Sequence, residues 1–107
     1  MNEFLSNNEI NQFNQDGAIF IKGKFDLGWI EKLKKGIERD IKNPSPRFKS
    51  HTVEKGVPKY LEDYWTSEQD SEFKDFVFNS PYAKISSELM SAKKINLVMD
   101  NWFLRES

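Results

Sequence analysis

The chain has 107 residues, of which 37% are hydrophobic, 31% charged and 14% aromatic, and its formal net charge is −1 at pH 7. This length predicts one small domain with no second domain, and the aromatic content is too high for a disordered segment. The balanced charge argues against a nucleic-acid-binding protein, and the sequence has no apolar run of about 18 residues that would predict a membrane span. The N-terminal residues lack the pattern of a signal peptide. The absence of cysteine excludes disulfides and thiolate metal sites and favours a cytoplasmic protein.

The first predicted element is a helix that begins at Ser6. Ser6 and Glu9 have the spacing of a capping box, in which each side chain accepts a hydrogen bond from the other's backbone N–H. Gly17 can end this helix in the left-handed conformation. The apolar residues 18–22 then predict a short strand, because they are rich in β-branched and aromatic side chains and lie between two glycines.

A second, amphipathic helix is predicted after Asp26, a favourable N-cap residue. Apolar residues recur at helical spacing along one face, and lysines and acids occupy the other. The apolar face consists of Ile30, Leu33, Ile37 and Ile41. Pro44 ends the helix, since proline disfavours helical geometry in the residue before it.

A long loop with a basic composition is predicted from Arg47 to Lys59. Its cations can hold an anionic substrate, although an ordinary charged surface loop explains the same composition. His51, the single histidine of the chain, has no carboxylate two residues away and no second histidine with which to form a metal site. We therefore expect no catalytic residue and no metal ligand among the 107 residues.

Two further helices and a final strand complete the predicted order. Ser67 is the expected N-cap of the first of these helices, and Ser80-Pro81 begins the second. Residues 95–105 have the composition of a strand, apolar on both faces as far as Met99, which is typical of a strand covered on both sides. The fold class is therefore α+β. Two distant strands make a poor sheet, so the last strand is expected to belong to a larger one.

Three segments of the chain resemble the phytanoyl-CoA dioxygenase family. "LSNNEINQFNQDGAIFIKGKFD" is similar to the family's opening helix, Phe-x-x-Asp-Gly turn and short strand. "NSPYAKISSELMS" resembles its Ser-Pro helix, and "MDNWFLRE" resembles its first core strand. The similarity extends over essentially the whole chain, in the family's order and spacing.

This resemblance implies an oxygenase that depends on Fe(II) and 2-oxoglutarate and hydroxylates a small or lipid-like molecule. Such enzymes are built on a double-stranded β-helix, or jelly-roll barrel, preceded by helices. Their iron is held by a His-x-Asp…His triad, and no residue of this chain matches that motif. The expectation is thus an inactive N-terminal fragment, residues 1–107, whose barrel is truncated and which binds neither Fe(II) nor 2-oxoglutarate alone.

The resemblance also places one residue of the last strand near the cosubstrate. Arg105 stands where family members have a lysine that points toward 2-oxoglutarate, and Asn101 and Phe103 share its face by strand alternation. Arg105 paired with a surface acid at a strand end is the other interpretation.

The alternative from a different class is a complete, non-enzymatic α+β interaction module. In that case the exposed edge of the last strand binds a partner by strand addition. The oligomeric state and the identity of the substrate are left open by the sequence.

Overall fold

A computed structural model of the protein describes residues 2–51, 54–55 and 59–106. In chain order its elements are α1 (Asn7–Asp16), α2 (Leu27–Lys42), β1 (Lys49–Ser50), β2 (Tyr60–Tyr64), a 3-10 turn (Thr66–Glu68), α3 (Ser71–Asn79), α4 (Tyr82–Met90) and β3 (Asn101–Arg105). The strands form one antiparallel sheet in the order β1-β2-β3. The predicted α+β class is confirmed.

Helix α1 has the ends that the sequence predicts. The Ser6 hydroxyl accepts the Glu9 N–H at 3.1 Å, and the Glu9 carboxylate accepts the Ser6 N–H at 3.0 Å. Gly17 follows the helix with a φ of 77°, and its N–H donates to the Phe13 carbonyl. Both caps depend on residues within four positions of each other, which is why the sequence alone predicts them.

The prediction that Ser67 caps the third helix is wrong. Asp70 is the N-cap of α3, where its carboxylate accepts the N–H groups of Glu72 and Phe73 at 2.9 and 3.2 Å. Ser67 lies in the 3-10 turn, and its hydroxyl donates to the Asp100 carboxylate at 2.6 Å. Asp100 therefore engages the hydroxyl that would otherwise cap the helix.

The strand predicted at residues 18–22 is absent from the structure. This segment has no strand pairing, and Phe20 is 81% exposed. An extended segment becomes a strand only when a neighbour satisfies its backbone N–H and C=O groups. The described residues place no such neighbour beside this segment.

The final strand is shorter than the predicted 95–105. Its partner, β2, ends where Tyr64 pairs with Asn101. The next residue, Trp65, has a φ of 58° and turns the chain into the 3-10 turn, so β2 does not continue alongside residues 95–99. One further bond, from the Trp65 N–H to the Asp100 carbonyl at 2.8 Å, ends the ladder.

The last strand nevertheless has a partner, and this partner precedes it in the chain. The predicted loop after Pro46 contains β1, and residues 60–64, where no strand was predicted, form the central strand β2. Among the described strands β3 lies at an edge and not in the interior of the sheet. The residues of the predicted basic loop at 52–53 and 56–58 lie outside the described ranges.

The hydrophobic core lies between helices α2 and α3 and one face of the sheet. Leu61, Phe73 and Trp102 are its buried centre, and Leu33 and Ile37 of α2 pack against them. Burial of a large apolar side chain contributes about 1.5–3 kcal/mol, so this cluster holds the helices to the sheet. The other two residues of the predicted apolar face of α2 are partly exposed, at 40% and 37%.

Candidate binding face of the sheet

The second face of the sheet is the candidate functional site, and we call it the open face. Antiparallel partners point to the same side of a sheet, and successive residues alternate. Leu61 and its partner Leu104 point toward the helices, so their neighbours point away from the helices. The side chains of the open face are those of Lys49 on β1, Tyr60, Glu62 and Tyr64 on β2, and Asn101, Phe103 and Arg105 on β3.

All three predicted cofactor-binding residues lie on the open face. Asn101, Phe103 and Arg105 are exposed, and Phe103 is 54% accessible to solvent. Arg105 forms no ion pair with any residue in the described ranges, so its guanidinium is not paired with a surface acid there. Whether this face binds a cosubstrate stays a prediction.

Glu62 lies at the centre of the open face and was not singled out from the sequence. Its residue exposure is only 7%, although helices α2 and α3 pack on the opposite side of the sheet. The Glu62 carboxylate lies 3.3 Å from Nε2 of His51. Desolvation, the hydrogen bond with Glu62 and the charge of Glu62 raise the pKa of the Tyr64 phenol. The buried carboxylate is thus surrounded by side chains of its own sheet.

The structure supplies His51 with the acid that the local sequence lacks. The His51 N–H donates to the Tyr60 carbonyl at 2.9 Å, which extends the β1–β2 pairing and brings the imidazole beside Glu62. The side-chain contact joins residues eleven positions apart, and only strand pairing brings them together. Residues 60–64 carry no clean apolar–polar alternation, because the inward side chains are Leu61 and the charged Asp63, so the sequence contains little indication of this strand.

Aromatic rings continue the open face on both sides of Glu62. The His51 and Tyr60 rings have centroids 4.9 Å apart, and the Tyr60 and Phe103 rings are stacked at 6.3 Å. Phe103 also meets Tyr64 edge-to-face at 6.4 Å. Offset and edge-to-face ring pairs of this kind stabilise a surface by about 0.5–1.5 kcal/mol each. The face therefore presents an ordered aromatic surface, with Arg105 at its β3 end and Lys49 on β1.

Only part of the predicted basic loop contributes charge to this region. Arg47 points inward, since its Nε donates to the Tyr64 carbonyl at 2.9 Å and its Nη2 to the Trp65 carbonyl at 3.4 Å. Lys49 and Lys59 are exposed. Arg47 thus serves to hold the loop to β2, and the cations available to a ligand are the lysines and Arg105.

An apolar cavity of about 270 Å³ adjoins the same strand on the helical side. Its lining includes Phe73, Phe76, Leu97, Asp100 and Asn101, and does not include Phe103 or Arg105. The cavity and the open face therefore share Asn101, whereas Phe103 and Arg105 belong to the open face alone.

No group of three or more His, Cys, Asp or Glu side chains in the described ranges is arranged to hold a metal ion. Within the same ranges, no helix combines the length and apolar character needed to cross a membrane. The His51–Glu62 pair supplies only two such groups.

Comparisons of this chain with protein-family models, with curated proteins and with solved structures find no significant match. The chemistry of the open face must therefore be inferred from its own residues. A cation beside stacked rings suits a planar or carboxylate-bearing ligand, because arginine offers a planar fork of N–H donors that matches a carboxylate.

Proposed function

We propose that this chain is the N-terminal part of an Fe(II)- and 2-oxoglutarate-dependent oxygenase, and that its sheet is the beginning of a jelly-roll barrel. In this proposal the open face turns toward the interior of the barrel, where Arg105 binds a carboxylate of 2-oxoglutarate. The substrate is a small or lipid-like molecule, as the resemblance to the phytanoyl-CoA dioxygenase family implies.

The observation that carries the proposal is the position of Arg105. Its side chain lies on the open face in line with Phe103 and Asn101, and in the described ranges it has no acidic partner. Charge-assisted hydrogen bonds between arginine and a carboxylate are strong and can be bidentate. A sheet face that carries such an arginine beside aromatic rings is suited to a carboxylate cosubstrate.

The described residues do not fit an iron site, since they include no suitable cluster of ligands. No step that involves iron is therefore assigned to them. In the proposal the His-x-Asp…His ligands come from residues of the intact enzyme outside these 107. The role of this chain is to position the cosubstrate and to supply one wall of the site.

Binding of 2-oxoglutarate to the intact protein tests the proposal. With Mn(II) in place of iron, Arg105→Ala is expected to raise the Kd measured by calorimetry by at least about tenfold, because it removes a charged hydrogen-bond donor. Arg105→Lys should give a Kd between those of the wild type and Arg105→Ala, since lysine keeps the positive charge but lacks the planar fork of N–H donors. Lys93→Ala, a change at an exposed lysine outside the open face, is the matched control. An unchanged Kd for Arg105→Ala would remove this residue from the site, and an intact protein without a His-x-Asp motif would end the oxygenase proposal.

A second candidate function is strand addition at the outer edge of β3. The Asp100 carbonyl accepts a bond from Trp65, and the Glu106 N–H donates to Lys59, so both groups point toward the β2 side. Backbone groups alternate in direction along a strand, so those of the odd-numbered residues between them point to the opposite side. No strand of the described ranges pairs with that side. The backbone groups of Asn101, Phe103 and Arg105 therefore offer an incoming strand a ladder of hydrogen bonds.

Amide hydrogen exchange at these three positions distinguishes the two functions. In an oxygenase barrel the three amides are protected in the intact protein without any partner. In an interaction module they exchange rapidly in the free protein and become protected only in a complex. Phe103→Pro, compared with Phe103→Ala, would block strand addition specifically, because this N–H points away from β2.

A further inference from the structure

Two carboxyl groups lie buried together between helix α2 and the sheet. Asp40 is on α2 and is 5% exposed, and Asp63 is on β2 and is fully buried. Both lie on the core side of the sheet, opposite the open face. Trp102, the cross-strand partner of Asp63, donates its indole N–H to Asp40, so the two carboxyl groups lie in one buried cluster, and their proximity favours a single proton shared between them.

The hydrogen-bond donors around the pair show which carboxyl carries the charge. Asp63 accepts three bonds, from the Ser45 hydroxyl at 2.5 Å, the Tyr64 N–H at 2.7 Å and the Ser45 N–H at 3.3 Å. Asp40 accepts two, from the indole N–H of Trp102 at 2.9 Å and the side-chain amide of Gln69 at 3.2 Å. The larger number of donors favours an ionised Asp63 and places the shared proton on Asp40.

No cation of the described ranges forms an ion pair with either carboxyl group. Arg39 of α2 is directed to Asp70 and Glu72, and Arg47 donates to backbone carbonyls. The charged groups near Asp40 are Arg39 and Lys42 on α2, Asp63 on β2 and Asp70 before α3. The remaining neighbours of Asp40 are uncharged: Ser45 in the loop, Gln69 in the turn and Trp102 on β3. The pair is therefore held by neutral donors and by its own proton.

The surroundings of the two carboxyl groups shift their pKa values in opposite directions. Burial, together with the hydrogen bond and negative charge of Asp63, raises the pKa of Asp40 to about 6. For Asp63, burial opposes ionisation, but the hydrogen bonds from Asp40, Ser45 and Tyr64 prevail and lower its pKa. Two carboxyl groups in contact resist carrying two charges, so the second ionisation is the unfavourable one.

We propose that Asp40 and Asp63 form a proton-dependent latch, in which one shared proton holds helix α2 and the Ser45 loop against the sheet. The latch joins four parts of the fold: α2 through Asp40, the loop through Ser45, β2 through Asp63 and β3 through Trp102. Loss of the proton places two negative charges in contact at a buried site. Separation of α2 and the Ser45 loop from the sheet relieves this repulsion.

A surface cleft gives water access to one side of the latch. The cleft has a volume of about 470 Å³, and its lining includes Asp40, Ser45 and Gln69. Proton exchange can therefore occur without global unfolding, and the latch responds to the pH of the surrounding solution. This inference concerns the helical side of the sheet and does not depend on the proposed function of the open face.

The direction of the pH effect follows from the two shifts. The pKa of Asp40 is raised above the value of 3.8 in an unfolded chain, so its contribution to stability is complete below that value and is lost as the pH rises through about 6. Asp63 has a lowered pKa, so its contribution is present above 3.8 and is lost as the pH falls through its folded pKa. The latch is therefore closed at mildly acidic pH and weakened at neutral pH.

Hydrogen exchange of the Trp102 indole N–H tests the latch, because this group donates directly to Asp40. After correction for intrinsic exchange, the opening constant in the wild-type chain should rise by at least about tenfold between pH ~4.5 and ~7.5. A tenfold rise is the change expected when the pKa of Asp40 differs by one unit between the closed and the open latch. Asp40→Asn keeps a donor toward Asp63 and removes the titration, so the same constant should change by less than about twofold. Asp75→Asn alters a half-buried acid on α3 that pairs with Lys32 and lies outside the latch, so this variant should retain the wild-type response.

Two results would overturn the latch. One is an opening constant in the wild-type chain that is the same at both pH values, and the other is an Asp40→Asn protein that keeps the wild-type pH response. If Asp40→Asn does not fold, carbon NMR of the wild-type side-chain carboxyls decides the question. A single buried carboxyl that titrates near pH 6 and belongs to Asp40 supports the latch; titration of both Asp40 and Asp63 below pH ~4, near the ordinary aspartate value, rules it out.

Discussion

Gly36 of helix α2 lies directly against the ring of Phe73 on helix α3. A Cβ atom at position 36 would lie 2.9 Å from Cζ of Phe73 and 3.2 Å from both neighbouring ring carbons. Gly36 is buried, and Phe73 belongs to the central core cluster. The missing side chain thus lets the two helices approach closely enough for Phe73 to reach Leu61 and Trp102.

Gly36→Ala is therefore expected to destabilise the protein. Alanine favours a helix over glycine by up to about 1 kcal/mol, but the overpacking against Phe73 costs about 1–3 kcal/mol. Urea unfolding should show a lower midpoint for the variant. Gly28→Ala, on the same helix, meets nothing within 4 Å and should raise the midpoint. A stabilising effect at both positions would contradict the close packing of α2 on α3.

Asp70 joins two helices, and its removal is expected to cost more than a cap alone. It accepts two N–H groups at the start of α3 and two bonds of 2.9 Å from the Arg39 guanidinium on α2. Loss of a cap costs about 1 kcal/mol. Asp70→Ala also removes the ion pair with Arg39, and this adds only a few tenths to about 1 kcal/mol because Arg39 is partly solvent-exposed. Asp70→Asn keeps a capping oxygen and should cost less.

The effect of Asp70 should also depend on pH. Burial opposes its ionisation, but the bond from Arg39 and the backbone N–H groups of Phe73 and Glu72 lower its pKa. Its contribution to stability is therefore present above the unfolded value of 3.8 and is lost as the pH falls through its folded pKa. The difference in unfolding free energy between wild type and Asp70→Asn should shrink in acid. A difference that stays constant as the pH falls would contradict the lowered pKa of Asp70 and its bond with Arg39.

Trp102→Phe is expected to weaken the contact between β3 and α2. The change keeps a ring in the core but removes the indole donor to Asp40, and an unsatisfied buried polar group costs about 1–3 kcal/mol. Chemical denaturation at pH ~5 measures the loss. Trp29→Phe is the matched control, since Trp29 is half-buried and contacts Phe76 edge-to-face. Equal effects of the two substitutions would argue against the Trp102–Asp40 bond.

Asp100 fixes the chain before β3, and Asp100→Ala should loosen this connection. Its carboxylate accepts the Thr66 hydroxyl at 2.9 Å, the Ser67 N–H at 3.0 Å and the Ser67 hydroxyl at 2.6 Å. The variant leaves partly buried donors unsatisfied, at a cost of about 1–3 kcal/mol. Amide exchange in the 3-10 turn should accelerate. Ser67→Ala removes one of the three bonds, so it should have a smaller effect.

The chain's own sequence predicted the features that depend on near neighbours. The Ser6–Glu9 capping box and Gly17 at the end of α1 involve residues within one or two helical turns, and both are present. The start of α4 was predicted to within one residue: Pro81 is its N-cap residue, and the hydroxyl of Ser80 accepts the Tyr82 N–H. Local rules succeed here because each bond joins groups that the helix itself brings together.

Strands and buried polar contacts were decided only by the tertiary structure. Residues 18–22 have a strand-like composition and no partner, whereas Tyr60–Tyr64 became the central strand because β1 and β3 pair with it. Likewise, His51 meets Glu62 through strand pairing, and Asp40 meets Asp63 because α2 packs on the sheet. A strand is stabilised by hydrogen bonds to another segment, and a buried carboxyl by donors from elsewhere in the fold. The sequence names these groups, but only folding determines which of them meet.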